Sequence, residues 1–370
     1  MSRVLDAVPP WIRELAPYAP GLPTEELERH YGITGSIKLA SNENPLGPSP
    51  RALAALAGAL ASLHRYPDGS AFHLTRRLAE RHGVEPEAIV IGNGSNEIIE
   101  LLVRSFMQPG DEAVMAAGAF LVYALVVQAA GGRGRPVPLR DFTHDLPAMA
   151  AAVTDRTRLV FVANPNNPTG TIVRHDAWRA FLASLAGRPL VVVADEAYAE
   201  YVDDPEYPDT IGARAAEAPP VVSLRTFSKL HGLAGLRIGY GVGEPAVVDV
   251  LRRVRQPFNV SALAQVAALA ALDDEAHVRR TLATNREGLA VLRAGLDALG
   301  VPYVPSAANF LLVETGDGPA HYEALLQRGV ITRPMGVYGF PDHLRVTVGL
   351  PAENERFLGS LRAVREAAGR

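Results

Sequence analysis

A series of short apolar segments between residues 89 and 242 constrains the fold of this chain most strongly. We predict strands at residues 89–91, 113–115, 159–163, 190–194, 221–224 and 238–242. These segments are rich in β-branched residues and do not alternate with polar ones, which is typical of strands covered on both faces by helices. The pattern predicts an α/β fold built on a mostly parallel sheet, whose ligands bind beyond the carboxyl ends of the strands.

The regions on either side of these strands differ from them in composition. The first 50 residues are rich in proline and polar residues, and they predict an extended arm with a helix at 24–31. Further helices are predicted at 51–63, 72–82, 262–272, 275–299, 321–329 and from 353 onwards, with strands at 309–313, 330–333 and 344–348. We therefore expect an N-terminal arm (1–45), a large domain (46–255) and a smaller α+β domain (256–370).

Composition excludes several classes of function. The net charge of −4 gives no basic footprint for nucleic acid and no polybasic patch for a membrane. Without cysteine there is no thiol chemistry, and the ten scattered histidines contain no H-E-x-x-H, so no metal site is indicated. Residues 113–132 carry no charge, but glycines interrupt them, and we predict a buried strand, loop and helix there. The N-terminus lacks the apolar core of a signal peptide, so we expect a cytoplasmic protein.

Lysine is almost absent from the chain. Only Lys38 and Lys229 occur among the 36 basic Lys and Arg residues. Arginine replaces lysine as a surface charge, but it cannot supply an amine that loses its proton and attacks a carbonyl. Scarcity alone leaves two interpretations of Lys229 equally open, a nucleophilic amine or a remaining surface lysine.

Polar motifs follow four of the predicted strands. They are GNGSNE at 92–97, NPNNPTG at 164–170, DEAY at 195–198 and RTFSK at 225–229, the last followed by Arg237. Each motif alone has an ordinary structural explanation as a βα turn, a rigid loop or a helix cap. In order, they offer a phosphate seat at a helix N-terminus, oriented amides, a carboxylate with a phenol, and an amine with hydroxyls and an arginine.

These four motifs, in this order and spacing, resemble those of the fold type I pyridoxal-phosphate aminotransferases. SNENPLGPSP, RYPDG, ITRPM and LRVTVG are similar to the histidinol-phosphate aminotransferase branch of that family. The resemblance extends from about residue 18 to residue 357. It implies pyridoxal 5'-phosphate as cofactor and a large domain with a mostly parallel seven-stranded sheet flanked by helices.

The resemblance also implies roles for individual residues. Lys229 would join the cofactor through a Schiff base and, once released, carry the proton between substrate and cofactor. Asp195 would keep the pyridine nitrogen protonated, and Tyr198 would bond the phenolic oxygen. The other implied cofactor contacts are Asn167, Phe120, Gly94, Ser95, Asn96, Thr226, Ser228, Arg237 and, from the partner subunit of a homodimer, Tyr66. Residues 117–119, before Phe120, depart from the usual family pattern.

For the substrate, the resemblance implies that Arg345 and Arg333 bind an anionic group, with Tyr18 and Asn44 lining the pocket. The expected reaction is ping-pong amino transfer between histidinol phosphate and 2-oxoglutarate, giving glutamate. An aromatic amino-acid aminotransferase is the nearest alternative, and a threonine-phosphate decarboxylase, from another reaction class, shares most of these motifs. A cofactor-binding regulator is disfavoured because there is no room for an added DNA-binding domain and no basic patch.

Overall fold

The strands form three separate sheets in the computed structural model, which describes residues 3–212, 218–367 and 369. The strands are β1 (Ile37–Lys38), β2 (Ile89–Gly92), β3 (Glu112–Ala116), β4 (Arg133–Val137), β5 (Thr157–Ala163), β6 (Val191–Asp195), β7 (Val221–Thr226), β8 (Gly239–Val242), β9 (Tyr303–Val304), β10 (Phe310–Glu314), β11 (Val330–Ile331), β12 (Arg333–Pro334) and β13 (His343–Thr347).

Helices surround these sheets. The α-helices are α1 (Arg3–Asp6), α2 (Pro10–Arg13), α3 (Thr24–Tyr31), α4 (Pro50–Ala59), α5 (Phe72–His82), α6 (Gly94–Phe106), α7 (Val122–Ala129), α8 (Leu146–Ala151), α9 (His175–Ser184), α10 (Pro245–Val254), α11 (Ala262–Leu272), α12 (Glu275–Ala298), α13 (Gly318–Leu326) and α14 (Pro351–Ala367). None of the helices in the described part of the chain has the length and apolar character that a membrane span requires.

The largest sheet has seven strands in the order β2-β8-β7-β6-β5-β3-β4. Strands β4, β3, β5, β6 and β7 run parallel, and β8 is antiparallel to both of its neighbours. All six predicted strands are present, with ends within two residues of the prediction. The mostly parallel α/β fold is therefore confirmed, and it also contains an edge strand, β4, that the sequence analysis did not place.

Successive residues of the central strands contact opposite layers of helices, as the pleat of a strand requires. Val191 and Val193 pack into a core with α6, α7 and α10. Val192 and Ala194 pack on the other face with α8 and α9. Burial on both faces explains why these strands are apolar without alternation.

The remaining strands form two smaller sheets. An antiparallel sheet has the order β12-β13-β10-β9, and β1 of the N-terminal segment pairs in parallel with β11. The predicted strand at 330–333 is wrong as a single element, because its two halves belong to different sheets as β11 and β12. Helix α13 begins at Gly318 rather than at 321, and α14 at Pro351 rather than at 353. The predicted domain boundaries at 45/46 and 255/256 stay a prediction.

One pair of side chains joins the starts of two helices from distant parts of the chain. Ser49 caps α4 by accepting from the Ala52 amide, and Asp274 caps α12 by accepting from the His277 amide. The Ser49 hydroxyl also donates to Asp274 Oδ2 at 2.7 Å, and both residues are buried. The Asp274 carboxylate therefore accepts hydrogen bonds both from the N-terminal turn of α12 and from the buried Ser49 hydroxyl.

We expect Asp274→Ala to lower the free energy of unfolding by about 2–4 kcal/mol, because it removes an N-cap worth about 1 kcal/mol and leaves a buried hydroxyl unpaired at a cost of about 1–3 kcal/mol. Asp317→Ala is the matched control, since Asp317 caps α13 through the Ala320 amide and is an exposed cap. It should cost about 1 kcal/mol. Urea unfolding measures both, and equal losses would contradict the double role of Asp274.

Candidate active site

The carboxyl ends of the parallel strands open into a cavity of about 420 Å³. It receives side chains from the segments after β2, β3, β5, β6 and β7, and from the N-terminal segment and the four-stranded sheet. The predicted site residues that line it are Tyr18, Gly94, Ser95, Asn96, Phe120, Asn167, Asp195, Tyr198, Thr226, Ser228, Lys229, Arg237, Arg333 and Arg345. Two predicted residues, Asn44 and Tyr66, are not among its lining residues.

Lys229 follows β7 and extends its amine into this cavity. Its Nζ donates to the carbonyl oxygen of Ser41 at 2.9 Å and lies 5.8 Å from the centre of the Tyr198 ring. Burial lowers the pKa of the Lys229 amine to about 7, and the positive charge of Arg345 acts in the same direction. At neutral pH a substantial fraction of the amine is therefore unprotonated and able to attack a carbonyl.

Asp195, the last residue of β6, is held by Tyr123. The Tyr123 hydroxyl donates to Asp195 Oδ2 at 2.5 Å, and the Ala197 amide donates to Oδ1 at 3.3 Å. Burial raises the pKa of the Asp195 carboxyl, and the bond from Tyr123 opposes that shift. The Tyr123 ring is itself fixed by stacking on Phe161, with centres 4.7 Å apart. Tyr123 was not among the predicted site residues, although it lies only three residues after Phe120.

Asn42 sets the orientation of the Tyr198 hydroxyl. Its Nδ2 donates to the Tyr198 oxygen at 2.8 Å, and its Oδ1 accepts from Thr347 at 3.1 Å. Because an amide nitrogen only donates, the Tyr198 hydrogen is left to donate into the cavity. Asn42 was not among the predicted site residues; Asn44 was, but it donates instead to the Leu230 carbonyl and to Thr281.

The start of α6 offers a seat for an anionic group. Gly94, Ser95 and Asn96 form its first turn, where backbone N–H groups have no partner within the helix. A side chain at Gly94 would place its Cβ 2.8 Å from Arg237 Nη2, so the glycine lets the guanidinium approach the helix. Thr226 and Ser228 also line the cavity.

Arg345 and Arg333 lie directly opposite each other on the neighbouring strands β13 and β12. Arg345 is buried and donates to Asn167 Oδ1 at 2.5 Å and to the Ala40 carbonyl at 2.6 Å. Arg333 donates to the Ala19 carbonyl at 2.7 Å, and its guanidinium carbon lies 5.8 Å from the centre of the Tyr18 ring. Two guanidinium groups thus share one wall of the cavity.

Phe120 lines the cavity and contacts the edge of Tyr123, with ring centres 5.7 Å apart. Tyr66 lies elsewhere: it is 83% exposed and stacks on Phe258 at 4.8 Å. Within residues 3–212, 218–367 and 369, no cluster of three or more histidine or carboxylate side chains could hold a metal ion.

The residues present fit pyridoxal phosphate. The anion seat beside Gly94 and Arg237 suits a phosphate, the buried Asp195 carboxylate suits a pyridinium nitrogen, and the Lys229 amine suits an aldehyde. The Tyr198 hydroxyl, with its hydrogen directed into the cavity, suits a phenolic oxygen. The cavity therefore has a matching donor or acceptor for each polar part of that cofactor.

The chain matches the family described as aminotransferase class I and II over residues 34–361, and it therefore belongs to that family. Histidinol-phosphate aminotransferase of Methylobacillus flagellatus is 50% identical over 98% of this chain and 99% of that protein. Histidinol-phosphate aminotransferase 2 of Pseudomonas aeruginosa is 50% identical over 98% of each. The resemblance inferred from the motifs is confirmed.

Solved structures agree with this assignment. Histidinol-phosphate aminotransferase of Sinorhizobium meliloti, in complex with pyridoxal-5'-phosphate, superimposes with a TM-score of 0.89 at 28% identity, over 98% of both chains. Aspartate aminotransferase of Thermus thermophilus with maleate has a TM-score of 0.84 at 23% identity, over 97% of this chain and 99% of that chain. The second likeness shows the fold alone.

We expect the Lys229 amine to react with an acylating reagent in the cofactor-free protein with a midpoint near pH 7, because burial lowers its pKa to about 7. A lysine of ordinary pKa, about 10.4, would be almost unreactive there. Lys38→Arg leaves Lys229 as the sole side-chain amine, so peptide mapping by mass spectrometry assigns the reaction without ambiguity. A midpoint above pH 9 would contradict the desolvated amine.

Proposed function

We propose that this chain is a pyridoxal-phosphate-dependent aminotransferase that moves an amino group between histidinol phosphate and 2-oxoglutarate. The observation that carries the proposal is the pairing of Arg333 with Arg345 on one wall of the cavity that also holds the Lys229 amine. The names of relatives at 50% identity over nearly the whole chain support it. The predicted enzyme class and cofactor are confirmed by the family and by the relative solved with pyridoxal-5'-phosphate.

When bound, the cofactor supplies an electron sink that allows the bond between the substrate Cα and its hydrogen to break. Residues around the α6 N-terminus, with Thr226, Ser228 and Arg237, hold its phosphate. Asp195 holds its ring nitrogen, and Phe120 covers its ring. Its phenolic oxygen receives hydrogen bonds from Tyr198 and Asn167. These roles rest on where the side chains lie around the cavity.

Lys229 accepts and returns the proton of the substrate Cα. Its pKa of about 7 makes both protonation states accessible at neutral pH, which suits a group that acts in turn as base and acid. In its protonated form it keeps a hydrogen bond to the Ser41 carbonyl and lies near the face of the Tyr198 ring. These neighbours stabilise the ammonium while the proton is held.

The arginine pair binds the anionic end of each substrate. Histidinol phosphate carries a phosphate and no carboxylate, so two guanidinium groups on adjacent strands match its doubly charged end. Glutamate and 2-oxoglutarate present a carboxylate to the same wall. Phenylalanine and tyrosine present only a singly charged α-carboxylate to this wall, which favours the substrate with the doubly charged phosphate over the aromatic alternative.

We also infer a homodimer in which Tyr66 reaches the active site of the partner subunit, and a cytoplasmic location. An aromatic side chain that is 83% exposed supports burial by a second copy of the chain. Leu53, Leu60 and Leu63, exposed on and just after α4, extend the apolar surface available for that contact.

With 2-oxoglutarate as acceptor, we expect the wild-type enzyme to give a higher kcat/KM for histidinol phosphate than for phenylalanine or tyrosine. Only histidinol phosphate has a doubly charged phosphate that can bind both Arg333 and Arg345. Lys229→Ala should abolish amino transfer, whereas Lys38→Arg should retain it. A preference for phenylalanine or tyrosine would replace the proposed substrate with the aromatic alternative. Release of carbon dioxide from threonine phosphate in place of amino transfer would assign the decarboxylase.

We expect Arg345→Ala to raise the KM for histidinol phosphate by roughly 30- to 1,000-fold, because losing one partner of a buried charge pair costs about 2–4 kcal/mol. Arg333→Ala should raise it by at most about fivefold, since a more exposed ion pair contributes about 1 kcal/mol. Cofactor affinity, read from visible absorbance, should change far less. An unchanged KM for both substrates in Arg345→Ala would refute its binding role.

A further inference from the structure

The loop between β3 and α7 has no space for a side chain at Gly118, two residues before Phe120. A Cβ at position 118 would lie 2.9 Å from both Cε2 and Cζ of Phe340 and 3.0 Å from Leu139 Cδ1. Real Cβ atoms do not come so close to their neighbours. The ring of Phe340 therefore occupies the space that any side chain at position 118 would need.

Phe340 belongs to the segment of residues 335–342 that links β12 to β13. This segment connects the two substrate arginines, and its Tyr338 is buried and lines the cavity. Within the segment the Phe340 amide donates to the Met335 carbonyl at 3.1 Å, and the His343 amide donates to the Phe340 carbonyl at 3.2 Å. The position of the Phe340 ring is thus linked to the positions of Tyr338 and both arginines.

The loop around Gly118 is anchored on the side of the seven-stranded sheet. The Gly118 carbonyl accepts from Asn166 Nδ2 at 3.0 Å, and the Ala117 amide donates to the Val137 carbonyl at 2.8 Å. On the opposite side, Phe340 makes edge or tilted ring contacts, with centres 5.9 Å from Phe142 and 5.7 Å from His343, and it packs against the buried cluster that contains Met335 and Tyr338. If a side chain is placed at position 118, the Phe340 ring must be displaced, and the displacement acts on Met335 and Tyr338 of the same segment, against which the ring packs.

We propose that Gly118 and Phe340 form a joint that positions the substrate-binding segment 333–345 against the loop holding Phe120, and so determines the affinity for the phosphate-bearing substrate. Both are positioning residues, since neither is a lining residue of the cavity. Close-packed contacts transmit displacement rather than absorb it, and small misplacements of a binding group have large effects on catalysis. The choice of substrate in the test rests on the proposed function; the joint itself does not.

A double-mutant cycle tests the joint. Gly118→Ala should raise the KM for histidinol phosphate about tenfold, with kcat changed less than threefold and with unchanged cofactor affinity by visible absorbance. Phe340→Ala should also raise KM. The double variant should match Phe340→Ala alone, because the added methyl group enters the space the ring has vacated. Gly134→Ala is the control, since its Cβ would make an ordinary contact of 3.5 Å with Met115.

The proposed joint is wrong if the two substitutions have additive effects on KM. It is also wrong if cofactor affinity falls as much as substrate affinity. Thermal unfolding shows whether Gly118→Ala is folded. If it is not, Phe340→Leu decides: a raised KM with retained cofactor affinity supports the joint, and an unchanged KM overturns it. If the wild-type enzyme does not accept histidinol phosphate, the substrate assignment fails separately, and the same cycle is measured with the amino donor it uses best.

Discussion

Positive charge concentrated around one cavity is the constraint on which this site depends. Lys229, Arg237, Arg333 and Arg345 line the cavity, against two lining carboxylates, Asp195 and Glu43. Desolvation of Lys229 and Arg345 and repulsion among the four cations make that arrangement costly, and the pKa of Lys229, lowered to about 7, is one result of that cost. In the proposed function, a cofactor phosphate beside Arg237 and an anionic substrate beside Arg345 offset this cost, and binding of these ligands then stabilises the folded site.

The fold could be predicted from the sequence wherever burial is uniform. Strands such as β5 and β6 are buried on both faces and read as continuous apolar runs, so their positions were predicted to within two residues. Strand β4 could not be found in this way, because it is an edge strand with exposed arginines and Pro136. The split of 330–333 into β11 and β12 depends on which sheet each half joins, and local sequence carries no information on that.

The candidate site likewise contains some residues that could be predicted from the local sequence and others that could not. Residues placed directly after a strand, such as Lys229 and Asp195, could be predicted because parallel strands bring their carboxyl ends together. Tyr123 and Asn42 bond to Asp195 and Tyr198, in segments that are distant in the chain, and the local sequence does not specify these contacts. Asn42 and Asn44 are two residues apart in one irregular segment without periodicity. The positive φ of Asn42, 55°, turns it toward Tyr198, and the sequence does not specify this.

Three consecutive residues of the N-terminal segment each hold one functional side chain. Ala40 accepts from Arg345, Ser41 accepts from Lys229, and Asn42 donates to Tyr198. Ala40 and Arg345 are 305 residues apart in the chain. At roughly 5–20 residues per second, a ribosome needs about 15–60 s to make the intervening stretch. The nascent chain thus passes most of its synthesis with an incomplete site, because the contact between Ala40 and Arg345 can form only after β13 has been made.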